Sequence, residues 1–178
     1  MNYFRRVMSG IDVAPLLAQV DALPKPWAPD TFWQQKKQGG VLYAQTNLVL
    51  RFMSAPGHTR PILADLPAAR PILFDLMRTL GGAILGTVVI SLLRPGERIG
   101  AHVDTWPHPV PQLYQRHQVP LRAAPGVAFR CGPEQCLMTE EVEMQPGEAW
   151  WFDNQAWHEV VNNSSEDRIS MFCDVASL

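Results

Sequence analysis

The sequence predicts a mainly β fold, a barrel or two-sheet roll, with helices confined to its N-terminal half. Eight short segments after residue 85 are rich in β-branched and aromatic residues, and each is bounded by Pro, Gly or Asn. Most of the 16 prolines lie between apolar runs rather than inside them, which is typical of strands joined by turns. Only two helical patterns occur, and both precede residue 85.

The two predicted helices cover residues 11–23 and 69–80. In each, apolar side chains recur every three or four residues and therefore share one face. These side chains are Val13, Leu16, Leu17 and Val20 in the first helix, and Ile72, Leu73, Leu76 and Leu80 in the second. The pair Gly81-Gly82 predicts the end of the second helix.

The predicted strands of the β core cover residues 87–93, 98–103, 118–122, 127–131, 137–143, 149–152, 159–162 and 168–175. An earlier run at 41–52 also predicts a strand, which could extend one sheet edge. A length of 178 residues fits a single domain. We therefore expect one domain over 1–178, in which residues 1–84 form a flanking region of helices and strand and residues 85–178 form the core.

Two nearly identical turn motifs precede candidate metal ligands. Residues 94–97 read Arg-Pro-Gly-Glu and residues 145–148 read Gln-Pro-Gly-Glu. Pro fixes φ and Gly accepts a positive φ, so both motifs predict tight turns, each followed by a strand that runs toward a histidine. The spacings from Gly96 to His102 and from Gly147 to His158 resemble the two halves of a cupin-like, jelly-roll double-stranded β-helix. In that architecture, ligands from distant segments meet in the barrel mouth.

His102 and Asp104 are two residues apart, so on a strand both side chains leave the same face and can share one metal. His158 is the third candidate ligand. Two histidines and one carboxylate form a facial set that leaves positions open on iron(II). Either motif alone is more often structural, as a surface strand or as a core histidine that donates to a carbonyl. Their combination with the two turns favours a metal site.

Arg168 opens the last predicted strand, directly after a polar turn. Its guanidinium could project into the barrel and bind a carboxylate of a small diacid through two hydrogen bonds. The alternative is an exposed ion pair with Glu166 or Asp167, the commoner fate of a lone arginine.

The segment 105–114 alternates prolines with aromatic residues, and we expect it to form a loop at the mouth of the barrel. Its residues Trp106, His108 and Tyr114 could line the substrate side or pack a stiff surface connection, and the sequence leaves both alternatives open. His108 is a weaker candidate ligand than Asp104, because prolines on either side make its direction hard to infer.

Three stretches carry a family resemblance. They are Ser-Leu-Leu-Arg-Pro-Gly-Glu-Arg-Ile-Gly-Ala-His at 91–102, Gly-Glu-Ala-Trp-Trp-Phe-Asp-Asn-Gln-Ala-Trp-His-Glu-Val-Val-Asn at 147–162, and Asp-Arg-Ile-Ser-Met-Phe-Cys-Asp-Val at 167–175. In this order they resemble the aspartyl/asparaginyl β-hydroxylase family of iron(II)- and 2-oxoglutarate-dependent oxygenases. The resemblance implies an enzyme that uses O2 and hydroxylates an unactivated C–H bond of an amino-acid, peptidyl or small-molecule substrate, with succinate and CO2 as coproducts.

The resemblance also assigns roles to single residues. It implies that His102 and His158 bind iron, that Ser91 and Arg168 hold the distal carboxylate of 2-oxoglutarate, and that His117 lies near this cosubstrate. Two positions depart from the best-known animal members. Those members have a glycine where this chain has Asp104, so the metal site here looks like the fuller triad. They have an arginine at the position of Gln115, so the nearer carboxylate is left to Arg116, Arg122 or Arg130.

The composition argues against other partners. A formal charge of −2 lacks the basic excess that attracts nucleic acid, and no apolar run approaches the roughly 20 residues of a membrane span. The N-terminus lacks the pattern of a secretory signal, so we expect a cytoplasmic protein. Two alternative functions stay open: a cupin-like metalloenzyme that does not use 2-oxoglutarate, and a non-catalytic ligand-binding β-roll. The roles of Ser91 and Arg168 discriminate between the first alternative and the oxygenase, and the intact set of His102, Asp104 and His158 argues against the second.

Overall fold

The computed structural model describes residues 2–24, 27, 46–52, 58–104 and 114–177. Within these ranges the helices are α1 (Ala14–Ala22), α2 (Ile62–Asp65) and α3 (Ala69–Leu80). The strands are β1 (Phe4–Met8), β2 (Thr46–Phe52), β3 (His58–Thr59), β4 (Gly82–Leu93), β5 (Arg98–His102), β6 (Tyr114–Arg122), β7 (Val127–Gly132), β8 (Glu140–Val142), β9 (Ala149–Phe152), β10 (Trp157–Asn162) and β11 (Arg168–Ser177).

The strands form two antiparallel sheets that face each other. The larger sheet has the order β1-β9-β6-β11-β4-β2-β3, and the smaller one has the order β5-β10-β7-β8. Strands that are distant in sequence lie side by side in both sheets, as in a double-stranded β-helix. The predicted fold class is confirmed. The division of the domain at residues 84 and 85 stays a prediction.

The predicted helices are present, with one change of boundary. The helix expected at 69–80 has these bounds in the structure, and it ends at Gly81, whose φ of 62° is left-handed. The helix expected at 11–23 begins later, at Ala14, because Ile11 donates its N–H to the carbonyl of Gly147. This bond draws the preceding segment toward the second Pro-Gly turn.

Every strand predicted after residue 85 occurs; the strand at 149–152 has the predicted ends, and the ends of the others are shifted. Strand β8 is the shortest of these because residues 134–137 form a turn in which Leu137 donates to the carbonyl of Glu134. The sequence did not predict strand β1, in which Arg5 and Arg6 interrupt the apolar pattern, or the one-turn helix α2. Of the strand predicted at 41–52, residues 46–52 form β2 and residues 41–45 lie outside the described residues.

Two apolar clusters cover the two faces of the larger sheet. The outer cluster joins α1 and α3 to the outward side chains of β4, β6 and β11, among them Leu16, Leu76, Ile90, Leu121 and Met171. The inner cluster lies between the sheets and contains Leu93, Ile99, Phe129, Phe152 and Val160. Successive side chains along each strand of this sheet point to opposite faces, so alternate residues face the helices and the interior between the sheets.

The two Pro-Gly turns have the predicted geometry. Gly96 and Gly147 have φ values of 78° and 82°. In both turns the N–H of the fourth residue donates to the first carbonyl, over 3.0 Å for Glu97 and 3.2 Å for Glu148. In both, the same glutamate accepts a hydrogen bond on its side chain from the N–H of the first residue of the turn. The two turns therefore share the same pair of hydrogen bonds, as expected for two related halves.

Asn162 joins the end of β10 to the end of β4. Its fully buried side chain donates from Nδ2 to the carbonyls of Leu93 and Glu166, over 2.9 and 2.8 Å. Its Oδ1 accepts hydrogen bonds from the N–H and the hydroxyl of Ser164. One amide thus satisfies groups from three segments and closes the turn that precedes Arg168.

No helix in the described part of the chain combines the length and the apolarity needed to cross a membrane.

We expect the substitution Asn162→Ala to lower the free energy of unfolding by about 2–4 kcal/mol, because it leaves two carbonyls near the end of β4 without their donor. Denaturant unfolding followed by circular dichroism measures this change. The matched control is Asn163→Ala, since Asn163 is exposed and is the next residue in the chain. Equal stability losses in the two variants would contradict the structural role of Asn162.

Candidate metal centre

The three predicted metal ligands come together between the sheets. His102 is the last residue of β5, and it lies opposite His158 of the neighbouring strand β10. Asp104 follows β5 by two residues, and its N–H donates to the carbonyl of Asn154 over 3.0 Å. One ligand atom from each of the three residues lies within 4.8 Å of the others. This donor set of two imidazoles and one carboxylate suits a mononuclear iron(II) ion.

Hydrogen bonds to the backbone orient both candidate histidine ligands. Nδ1 of His102 lies 2.8 Å from the carbonyl oxygen of Gly100, and Nδ1 of His158 lies 3.0 Å from that of Ala156. A carbonyl only accepts, so each Nδ1 carries the proton and each Nε2 keeps its lone pair. The Nε2 atoms of His102 and His158 lie 3.6 and 3.9 Å from the carboxylate oxygens of Asp104. Each tautomer is therefore the one that a metal ligand requires.

Neighbouring groups keep the third ligand charged, and burial keeps one histidine neutral. Desolvation raises the pKa of Asp104, but the charge of Arg116 and the two nearby imidazoles outweigh it and hold that pKa well below its usual range. Desolvation lowers the pKa of His158 to about 4, against an opposing effect of Asp104. At neutral pH the site thus offers a carboxylate and an unprotonated His158.

Arg116 borders the metal centre and pairs with two carboxylates. Its Nη1 donates to Oδ2 of Asp104 over 2.6 Å, and its Nε and Nη2 donate to the two oxygens of Asp174 over 2.7 and 2.8 Å. Asn154 donates a further hydrogen bond to the same Oδ2. Both carboxylates raise the pKa of Arg116 further above its usual range, so the guanidinium stays charged.

The cavity beside the three ligands has a polar and an apolar part. Its polar lining adds Ser91, Arg116 and Gln118 to the three ligands. Its apolar lining consists of Ile99, Phe129, Phe152, Val160 and Phe172. Apolar walls of this kind exclude water from the reacting centre.

Arg168 lies in the interior, as predicted, and not in an exposed ion pair. The side chain is 3% exposed, and no carboxylate among the described residues pairs with it. Its Nη2 lies 3.4 Å from Oε1 of Gln118, and its Nη1 is buried without a hydrogen-bond partner. Desolvation lowers the pKa of Arg168 to about 10. A buried cation with an unsatisfied donor has the properties of an anion-binding group.

Ser91 and Gln118 lie on the interior face next to Arg168. Ser91 lies opposite Ser170 in the pairing of β4 with β11. Ser170 donates its hydroxyl to Oε1 of Gln118 over 2.6 Å, and Arg168 contacts the same oxygen. Because Oε1 accepts from both, the amide nitrogen of Gln118 is free to donate into the cavity that this residue lines.

The structure does not bring His117 to this site. On β6 its neighbours Arg116 and Gln118 line the cavity, so His117 points to the opposite face, which also carries Val119 and Leu121 of the outer cluster. His117 is fully buried there, and its Nε2 has no hydrogen-bond partner. Arg116 and Gln118, one residue away on either side, line the cavity instead.

Of the three arginines considered for the nearer carboxylate, only Arg116 lines the cavity. Arg122 forms an ion pair with Asp21 of α1, and Arg130 pairs with Glu141 and Glu159 on the outside of the smaller sheet. In the mouth segment, residues 105–113 lie outside the described residues, and with them Trp106 and His108. Tyr114 begins β6 and packs closely against Gly86, where an added Cβ would lie 3.0 Å from the ring.

The sequence did not indicate Gln118, Asp174 or Asn154 as site residues. The alternation of side chains along β6 was the available signal for Gln118. His117, Val119 and Leu121 alternate along the strand and share its mainly apolar face, whereas residues 116 and 118 lie on the opposite, polar face. Asp174 and Asn154 carried no comparable signal, because both act through other side chains.

Comparison with known proteins gives a family and a fold. The sequence model of the family described as Aspartyl/Asparaginyl beta-hydroxylase matches residues 38–177, more than three quarters of the chain. No curated protein sequence matches the chain.

Three solved structures illustrate the similarity of fold. The chain resembles an oxidoreductase of the 2OG-Fe(II) oxygenase family from Burkholderia pseudomallei, with a TM-score of 0.64, 16% identity, and coverage of 98% of this chain and 84% of that one. It resembles the non-heme alpha-ketoglutarate-dependent epimerase SnoN from nogalamycin biosynthesis, with a TM-score of 0.61, 15% identity, and coverage of 98% and 77%. It also resembles a Pseudomonas putida prolyl-4-hydroxylase, with a TM-score of 0.54, 13% identity, and coverage of 98% and 92%.

The buried position of His117 generates a prediction about pH. Desolvation lowers the pKa of His117 to about 4, whereas an unfolded histidine titrates near 6.5. Between these values the unfolded chain binds a proton that the folded chain does not, so the free energy of unfolding rises with pH across this window. The contribution of His117 reaches roughly 3 kcal/mol at pH 6.5 and above, and it is lost as the pH falls toward 4.

We therefore expect His117→Leu to flatten the pH dependence of stability between pH 4 and 6.5. Denaturant titrations of metal-free wild type and variant at several pH values measure the two slopes. Parallel slopes would show that His117 is protonated in the folded protein and contradict its burial.

Proposed function

The chain belongs to the aspartyl/asparaginyl β-hydroxylase family of iron(II)- and 2-oxoglutarate-dependent oxygenases, and on this premise we propose that His102, Asp104 and His158 hold its iron. The reaction proposed is hydroxylation of an unactivated C–H bond in an amino-acid, peptidyl or small-molecule substrate. The observation that carries the proposal is the convergence of three ligand atoms within 4.8 Å, with both Nδ1 atoms occupied by backbone carbonyls.

Arg168 supports the use of a dicarboxylate cosubstrate. It is a buried cation with one nitrogen that has no partner, on the same interior face as Ser91 and the amide of Gln118. We assign the distal carboxylate of 2-oxoglutarate to these three residues, because a guanidinium, a hydroxyl and an amide together offer the charge and the donors that it needs. This carboxylate would supply the counter-charge that Arg168 lacks among the described residues.

Arg116 is the candidate contact for the nearer carboxylate. A guanidinium has five N–H donors, and the bonds to Asp104 and Asp174 use three of them. The two N–H groups that remain, one on each terminal nitrogen, are available on a residue that lines the cavity. Arg116 would take the place that the family gives to an arginine at the position of Gln115.

When bound, iron(II), 2-oxoglutarate and O2 supply the oxidising chemistry, with succinate and CO2 as coproducts. The contribution of the chain is geometric and electrostatic. The two imidazoles and the carboxylate would hold the metal through three atoms, which would leave positions for cosubstrate and oxygen. Phe129, Phe152 and Phe172 keep water from the cavity, and Arg168 fixes the end of the cosubstrate away from the metal.

The metal site is tested by adding iron(II) and 2-oxoglutarate to the purified protein without oxygen. We expect the weak visible charge-transfer band of the iron chelate in the wild type and its loss in His102→Ala and His158→Ala, because each variant removes a ligand. The matched control is His117→Leu, whose histidine is buried on the other face of the larger sheet; it should keep the band. A band that survives both alanine substitutions would place the metal elsewhere.

We expect Arg168→Gln to weaken 2-oxoglutarate binding to the metal-loaded protein by about 100-fold, because a buried charge pair is lost. Metal affinity should change by less than about threefold, since Arg168 contacts none of the ligands. Calorimetric titration measures both affinities. Arg122→Gln is the matched control, because Arg122 pairs with Asp21 outside the cavity. Unchanged 2-oxoglutarate affinity in Arg168→Gln would favour a metalloenzyme that does not use this cosubstrate.

A further inference from the structure

Asp174 is a buried carboxylate that pairs with one side chain among the described residues, Arg116, and Arg116 contacts a proposed metal ligand. Asp174 lies directly opposite Arg116 in the pairing of β11 with β6. The two side chains are 3% and 6% exposed, and they form a two-bond fork over 2.7 and 2.8 Å. The third nitrogen of the same guanidinium reaches Asp104 over 2.6 Å. Asp174 thus connects to the metal centre through one rigid, planar group.

Phe172 restricts this group from a third direction. The guanidinium carbon of Arg116 lies 4.5 Å from the centre of the Phe172 ring, in the range of a cation–π contact. The fork fixes the guanidinium along β11, and the ring limits its tilt. An arginine held in this way has little freedom to leave Asp104 when the contents of the cavity change.

The hydrogen bond from Arg116 to Asp104 makes the two carboxylate oxygens of Asp104 different. Oδ2 accepts hydrogen bonds from Arg116 and Asn154, over 2.6 and 3.2 Å. Oδ1 lies 3.6 Å from Nε2 of His102, and Oδ2 lies 3.9 Å from Nε2 of His158. Because Oδ1 accepts neither of the two hydrogen bonds, its lone pairs are the ones left for a cation. A carboxylate with one oxygen already engaged binds a metal through the other alone, which leaves more metal positions for cosubstrate and oxygen.

Asp174 compensates the positive charge of Arg116 beside the proposed metal site. A guanidinium beside a metal ligand repels a divalent cation, and burial between the sheets strengthens this repulsion. The fork with Asp174 places a compensating negative charge on the side of Arg116 away from Asp104. The pair is neutral as a whole, so Asp104 keeps its charge for the metal.

We propose that Asp174 is a positioning residue of the metal centre, which holds Arg116 against Oδ2 of Asp104 and cancels its charge so that Oδ1 is offered to the metal. This inference rests on the proposed iron site at His102, Asp104 and His158. It assigns Asp174 a role in metal affinity and coordination, beyond the general stability that any buried ion pair contributes.

The test compares Asp174→Asn with Glu159→Gln, using cobalt(II) as an oxygen-stable probe of the metal site. Both substitutions exchange a carboxylate for an amide of the same shape. Glu159 follows His158 directly, but it faces outward and pairs with Arg130. Calorimetry gives the cobalt(II) affinity, the visible absorption of cobalt(II) reports its coordination, and a second titration at saturating cobalt(II) gives the affinity for 2-oxoglutarate.

We expect Asp174→Asn to weaken cobalt(II) binding about 10- to 100-fold, and Glu159→Gln to change it by less than about threefold. The cobalt(II) spectrum should also change in Asp174→Asn, because Oδ2 is no longer held. Affinity for the dianionic 2-oxoglutarate should be unchanged or higher, since Arg116 now carries an uncompensated positive charge. A loss of cobalt(II) affinity without a loss of 2-oxoglutarate affinity separates positioning from a structural role, which would weaken the binding of both together. Equal cobalt(II) affinity in the wild type and Asp174→Asn would overturn the proposal, and so would a parallel loss of both ligands.

A double variant, Arg116→Gln with Asp174→Asn, keeps the test decisive if Asp174→Asn does not fold. It replaces the ion pair by two neutral amides, an exchange that folded proteins often tolerate. Its cobalt(II) affinity should lie within about threefold of the wild type, because the net charge near Asp104 is restored. A loss above about tenfold would overturn the role of charge cancellation.

The failure of the proposed function has a different signature. If His102→Ala and His158→Ala bind cobalt(II) as tightly as the wild type, the iron site itself is wrong, and the role of Asp174 falls with it. If both lose cobalt(II) while Asp174→Asn retains it, only the role of Asp174 is wrong.

Discussion

The pairing of β5 with β10 determines the geometry of the metal centre. It sets His102 directly against His158, so that two residues 56 positions apart bring their rings within 4.2 Å between centroids. A shift of one residue in this pairing would turn one ring out of the interior, because successive side chains on a strand point to opposite faces. The Pro-Gly turns matter for this reason. The first of them leads directly into β5, and the hydrogen bond from the N–H of Gly96 to the carbonyl of Asn162 fastens this turn to the end of β10.

The same alternation explains where prediction from the sequence succeeded and where it did not. Pro-Gly pairs, apolar periodicity and bounding prolines are local features, and they predicted the turns, helix α3 and the positions of the core strands along the chain. The position of His117 depended on which face of β6 each residue occupies, and the resemblance that placed His117 near the cosubstrate did not determine that face. Arg116 and Gln118 therefore occupy the interior that was expected for Gln115 and His117.

The supporting residues could not be predicted for a different reason. Asn154 donates directly to the candidate ligand Asp104, and Asp174 is connected to Asp104 through the guanidinium of Arg116. Both residues lie 50 or more positions from Asp104 in the sequence. A contact of this kind depends on which strands lie side by side, and the order of strands in the larger sheet is a property of the folded chain. Local sequence patterns report the face on which a residue lies but not its partner across the sheet.

The charges of the interior explain why a metal and a dianionic cosubstrate suit this cavity as a pair. Asp104 and Asp174 carry two negative charges, and Arg116 and Arg168 carry two positive charges, so the four buried groups are neutral together. Three of them form one connected network, whereas Arg168 is without a carboxylate partner in the described part of the chain. A divalent metal alone would leave the interior with an excess of two positive charges, and a doubly charged 2-oxoglutarate cancels that excess. The three candidate ligands line the cavity, and Arg168 lies buried beside Gln118, another residue of its lining. A dicarboxylate that reached from a metal to Arg168 would neutralise both positive centres at once, and it would be favoured over two separate anions because a single molecule is immobilised only once.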